Sequence, residues 1–123
     1  GVPCLRVLEA VATGQVAAVT DAEILQEILH RYASIGHRDK GAEVAELFLQ
    51  VVGEVLPVTR EDMVQAIALY RRYPEVQARD AVHAAVMQNN EVLLIVTADR
   101  HFDRFVGLRR VDPTDFDQFL SQG

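Results

Sequence analysis

Four acidic side chains fall where they could share one task. Asp80 stands near the start of "RDAVHAAVMQNN", Asp99 ends the apolar run of "EVLLIVTADRHFDRF", Asp103 follows four residues later, and Glu27 lies within "TDAEILQEILHRY". Carboxylates gathered in one pocket repel. At about 4 Å and an effective dielectric near 20, each like-charged pair costs roughly 4 kcal/mol before relaxation. Such a pocket either takes up protons or recruits a cation. An all-oxygen donor set suits a hard ion, Mg²⁺ or Mn²⁺, rather than zinc. Paired hard cations held this way activate water for in-line attack on a phosphodiester. Each acid also has a plainer reading. Asp99 could cap the turn that follows it, and Glu27 could sit on the solvated flank of a helix. Asp21 competes with Glu27 for the same place, although Asp21 reads better as a first-turn helix acid beside Thr20 and Glu27, from the residues alone, as a solvated-flank glutamate.

The elements decide which of these acids meet. Val92 to Val96 form a continuous apolar run, the pattern of a strand covered on both faces. Asp99 therefore belongs at the carboxyl end of that strand, where ligands bind in open α/β sheets. Asp80 opens the helix that feeds the strand and runs antiparallel to it. About ten helical residues at ~1.5 Å each return roughly 15 Å, close to the ~17–20 Å of a five- or six-residue strand. The spacing predicts that Asp80 and Asp99 are neighbours. Asp103 joins them if the segment after Asp99 turns helically, because i and i+4 then share a face. Glu27 would lie about 10 Å along its helix from the same edge, so spacing alone does not select it.

The rest of the chain alternates in the same way. A first helix is expected over Pro3–Thr13, with Leu5, Leu8, Val11 and Ala12 on its apolar side, and a strand over Val16–Val19. Thr20 and Glu23 form a T-x-x-E capping box opening a helix whose core face is Ile24, Leu25, Ile28, Leu29 and Tyr32. "SIGHRDKG" reads as a polar loop. A third helix over Ala42–Val52, a strand over Val55–Val58 and a helix over Arg60–Arg72 follow, then a break at Pro74. A last strand over Arg109–Val111 precedes Pro113 and a terminal helix reaching Leu120. Apolar strands alternating with helices predict an α/β fold: a three-layer α/β/α domain with a mostly parallel sheet, occupying residues 1–123 as one unit. Dinucleotide-binding, P-loop and H-E-x-x-H patterns are absent from the sequence.

With 123 residues, half of them hydrophobic, the chain can bury a core unaided. A net charge of −6 argues against a generic nucleic-acid coat and suits an acidic site that works through cations. Cys4 is the single cysteine, so no internal disulfide forms and a reducing, cytoplasmic setting is expected. The apolar runs are too short for a membrane span and show no signal peptide. The chain opens on Gly1 rather than Met, so its natural start is expected upstream.

Three segments in order, "TDAEILQEILHRY", "RDAVHAAVMQNN" and "VTADRHFDRFVGLRRVDP", resemble the PIN domain, and within it the VapC-type toxin ribonucleases. The resemblance covers nearly the whole chain. It implies an Mg²⁺- or Mn²⁺-dependent ribonuclease, the toxin of a toxin–antitoxin pair, partnered by an antitoxin protein and by a second copy of itself. It also implies residue roles: Glu27 as the helix-borne glutamate, Asp80 as the helix-opening aspartate, Asp99 as the aspartate of T-x-D, Asp103 as a further acid and Thr97 as the supporting hydroxyl. Glu27 is thereby preferred over Asp21. PIN domains open on a hydrophobic strand ending in an aspartate, which has no counterpart in these residues, so a truncated start is expected.

Around the site, His83 is expected to pack within its helix, His101 to face solvent, and Phe102 and Phe105 to lie in the core. Arg79, Arg100 and Arg104 either hold RNA phosphates or balance the acids. Cys4 is read as packing. Two other functions remain: a receiver-like signalling domain, which needs a lysine at the end of the last strand where Lys40 is the single lysine and lies in a loop, and a catalytically inactive PIN-like scaffold that binds RNA or protein.

Overall fold

The computed structural model describes residues 2–15 and 18–122. They form six α-helices and four short strands: α1 (Val2–Ala12), β1 (Val19–Asp21), α2 (Ala22–Ser34), α3 (Arg38–Val51), β2 (Glu54–Leu56), α4 (Arg60–Arg72), α5 (Ala78–Asn89), β3 (Leu94–Val96), β4 (Arg109–Val111) and α6 (Phe116–Gln122). Two 3₁₀ segments, Arg100–Arg104 and Pro113–Asp115, flank β4. The alternation is that of an α/β protein, and all strand pairing is parallel. The hydrogen bonds join the described strands as two separate pairs, β1–β2 and β3–β4, where the sequence predicted one mostly parallel sheet. The chain divides into two compact units, Leu8–Val58 and a second made of residues 1–7 with Thr59–Gly123.

In the first unit β1 and β2 align Val19 with Glu54, Thr20 with Val55 and Asp21 with Leu56. The strand expected over Val16–Val19 is displaced toward the C-terminus, and Val16 and Ala17 lie outside the described residues. Thr20 is occupied by the ladder, so the helix cap falls one residue later than expected. Asp21 holds an extended backbone (φ −121°, ψ 167°) and accepts the Ile24 N–H at 3.1 Å, leaving the Thr20–Glu23 box unformed. The apolar stripe of α2 is only partly covered: none of its residues is fully buried, and Leu29 is exposed. Among the described side chains of α1, Ala10 is buried, while Ala12 faces solvent. The polar loop is shorter than expected because α3 already begins at Arg38. Arg38 and Lys40 are good helix formers, and Asp39 in the first turn suits the helix N-terminus. At Gly41 a Cβ would stand 2.7 Å from the Tyr32 Cβ. Only glycine lets α3 approach α2 this closely.

The second unit is organised around α5, in which every residue from Asp80 to Met87 is buried. Alanines 81, 84 and 85 keep the helix thin enough to be enclosed, and α4 packs along it. Thr59 and Asp62 make the reciprocal cap that opens α4: Thr59 Oγ1 accepts the Asp62 N–H at 3.2 Å, and Asp62 Oδ2 accepts the Thr59 N–H at 2.9 Å. The other Asp62 oxygen accepts from Asn89 Nδ2 at 2.8 Å, tying the start of α4 to the end of α5. β3 and β4 align Leu94 with Arg109, Ile95 with Arg110 and Val96 with Val111. The strand is shorter than the apolar run that announced it. Leu93 precedes it and is exposed, so this run is not covered on both faces as predicted. Phe102 and Phe105 are buried as expected, with Tyr73 set edge-on to Phe105 at 5.2 Å.

Candidate active site

The carboxyl end of β3 is built to hold one aspartate. The Thr97 N–H donates to the Val111 carbonyl at 3.0 Å, continuing the parallel ladder one residue past β3. Thr97 Oγ1 then accepts the Asp99 N–H at 3.1 Å. Asp99 caps the 3₁₀ segment, its Oδ1 accepting the His101 N–H at 2.9 Å and lying 2.8 Å from His101 Nδ1. The capping reading of Asp99 is therefore correct, and it does not consume the group, since both bonds use Oδ1. Partial burial pushes the Asp99 pKa up. The His101 hydrogen bonds and the charges of His101 and Arg79 outweigh that and hold the carboxyl below the ordinary aspartate range. His101 was expected in solvent; it is half-exposed but bound to Asp99.

Asp80 is the third residue of α5 and is 5% exposed. Its position in the first turn places its charge at the positive end of the helix dipole. The Arg79 Nε lies 4.0 Å from Asp80 Oδ1, and the same guanidinium lowers the Asp99 pKa through space.

Asp103 stands differently. The expectation that it shares a face with Asp99 assumed an α-helical turn, whereas Arg100–Arg104 is 3₁₀. Asp99 is the extended cap residue of that segment (φ −74°, ψ 105°), outside its helical run. The Asp103 carboxylate is held instead by Arg110, with Nε 2.8 Å from Oδ1 and Nη2 3.3 Å from Oδ2. Glu27, in the other compact unit, lies on α2 with only 14% of its side chain exposed and accepts from Arg31 Nη2 at 2.7 Å. It is far less solvated than a flank position suggests. Asp21 is buried as the cap of α2. Lys40 is the first-turn residue of a helix, within 4.0 Å of Glu43, not in a loop and not at a strand end.

His83 is buried within α5, and Arg104 pairs with Glu75 at 2.6 Å. The side chain of Cys4 lies outside the described residues. The reading of the sequence passed over Arg110. Its only signal there was a charged residue in the middle of "RRV", where a paired strand has little tolerance for a charge without partners.

The carboxylate oxygens of Asp80 and Asp99 are donors of the kind a hard divalent ion takes. Among the described residues, no group of three or more His, Cys, Asp or Glu side chains stands arranged to hold a metal ion. The donor chemistry of these two acids is that of a hard divalent ion.

Comparison with known proteins places the chain in a family. The family model of the PIN domain matches residues 3–108, and the chain belongs to the PIN domain family. Its relatives include a VapC ribonuclease of Mycobacterium bovis and ribonuclease VapC13 of Mycobacterium tuberculosis, each 41% identical over 106 residues, 86% of this chain and 81% of theirs. Ribonuclease VapC23 of Mycobacterium tuberculosis is 34% identical over 97 residues, 79% of this chain and 76% of its own. No described helix is long and apolar enough to cross a membrane.

Proposed function

We propose that this protein is an endoribonuclease of the VapC type, the toxin of a toxin–antitoxin pair, and that Asp80 and Asp99 are the acids at which it cuts RNA. The observation that supports the assignment of these two is their placement: Asp80 is buried in the first turn of α5, and Asp99 follows the carboxyl end of β3 as the cap of the 3₁₀ segment. Relatives named as ribonucleases that align with 86% of the chain support the activity. Glu27 is the proposed third carboxylate, on the strength of the family resemblance. Thr97 supports Asp99 through the hydrogen bond to its amide.

The cation these oxygens suit is Mg²⁺ or Mn²⁺, which when bound supplies charge stabilisation and an activated water. The chain's own contributions are to position two carboxylates and to keep that of Asp99 ionised. Burial of Asp80 at a helix start and capping by Asp99 fix both side chains. The His101 hydrogen bonds occupy one oxygen of Asp99 and keep its carboxyl ionised. Arg79 lies 4.0 Å from Asp80 and is 41% exposed. The proposed partners are the RNA substrate, an antitoxin protein and a second copy of the chain.

The test is cleavage of a single-stranded or loop RNA by the intact protein. Cutting is expected with Mg²⁺ or Mn²⁺ and is expected to stop in EDTA or in Asp99→Asn, which removes one charge from the donor set while keeping its shape. Undiminished cutting in EDTA would overturn the mechanism.

A further inference from the structure

Arg110 sits in the middle of β4, opposite Ile95, and its guanidinium reaches three separate segments. Nη1 donates to the Thr97 carbonyl at 3.1 Å, Nε and Nη2 grip both oxygens of Asp103, and Nη1 lies 3.5 Å from Asp112 Oδ2. Only 14% of the side chain is exposed, against 54% for Asp103. A guanidinium this well covered requires anionic and carbonyl partners, because an uncompensated charge out of water is costly. Its planar fork supplies several donors in fixed directions, which an ammonium does not.

We propose that Arg110 is a positioning residue for the acidic lip and that Asp103 serves as its counter-ion rather than as a ligand. The inference rests on the reading of Asp99 as a catalytic acid. Its chain of contacts is short. Arg110 holds the Thr97 carbonyl, the Thr97 hydroxyl holds the Asp99 amide, and Asp99 turns from there into the 3₁₀ segment. Asp103, at the far side of that segment, is fastened by the same guanidinium, so both ends of the turn are anchored to β4. Asp99 is the extended cap of the 3₁₀ segment, and the Asp103 carboxylate turns to Arg110. Withdrawing Asp103 to join a cation would leave Arg110 with Asp112 and one carbonyl.

The test compares Arg110→Lys, Asp103→Asn, their double variant and Asp99→Asn in the intact protein. In the metal-free protein, Arg110→Lys is expected to speed hydrogen exchange of the Asp99 amide, because Thr97 is released. With RNA, Arg110→Lys and Asp103→Asn are each expected to lower kcat about 10–100-fold, the usual effect of disturbing a group that orients a ligand, with KM unchanged. The double variant is expected to be no worse than the poorer single one. Mn²⁺ binding without RNA should survive in Asp103→Asn and fail in Asp99→Asn. Loss of Mn²⁺ binding in Asp103→Asn, or unchanged exchange and cleavage in Arg110→Lys, would overturn the proposal. Should Arg110→Lys fail to fold, the half-exposed Asp103→Asn decides alone through the Mn²⁺ titration. Wild-type cleavage by Asp99→Asn would instead defeat the reading of the site on which the proposal stands.

Discussion

Asp99 shows how one side chain serves structure and chemistry together. Its Oδ1 completes the 3₁₀ cap, accepting from the His101 amide and meeting the imidazole, while Oδ2 takes part in neither bond. A capping aspartate is thus compatible with a ligand role, and the two readings of the sequence were never exclusive. Asp62 makes the contrast. It is as buried an acid as any described, 2% exposed, yet both oxygens are consumed by Thr59 and Asn89, so it is purely architectural. Burial pushes the Asp62 pKa up, but the hydrogen bonds from Thr59 and Asn89 prevail and hold it below the ordinary value. A carboxyl held low in the folded state stabilises the fold. That contribution is complete above the unfolded aspartate value of about 3.9 and is lost as pH falls through the folded-state value. Asp62→Ala is therefore expected to cost about 1–3 kcal/mol at neutral pH, the usual penalty for stranding buried partners. Its unfolding profile, followed by circular dichroism, should also lose part of its steepness below pH 4. An Asp62→Ala protein as stable as the parent from pH 7 down to pH 3 would contradict this.

At the scale of elements, α5 positions Asp80 and the β3 terminus positions Asp99. Both were legible because each leaves a sequence signature: small residues along an enclosed helix, and an apolar run ending in T-x-D. The boundaries of α4 and β4 are also those expected, since Thr59 and Pro113 mark them locally. What was not legible depends on partners distant in sequence. The cap of α2 moved from Thr20 to Asp21 because β2 pairs through Thr20. The type of turn after Asp99 decided the direction of Asp103, and no local residue distinguishes a 3₁₀ turn from an α-turn there. Arg110 was missed because its value lies wholly in contacts with Thr97 and Asp103, thirteen and seven residues away. Glu27 was preferred by resemblance alone; its burial beside Arg31 could not be read from helical spacing.

For the whole molecule, the −6 net charge sets how RNA can approach. A polyanion meets an acidic protein with little counterion release to gain, so binding outside the site should be weak and only shallowly dependent on salt. Filter binding of a non-cleaving Asp99→Asn protein to RNA, measured across KCl concentrations, is expected to give a small slope. A steep slope would reveal an extended phosphate-contacting surface that the charge balance argues against.

The central claim is that Asp80 and Asp99 belong to one cation site. Calorimetric titration of Mn²⁺ into the intact protein tests it most directly, with Asp80→Asn, Asp99→Asn and the double variant alongside. The account predicts binding by the parent, loss of affinity in each single variant, and little further loss in the double, because the first substitution already dismantles the shared site. Parental Mn²⁺ affinity in either single variant would contradict it.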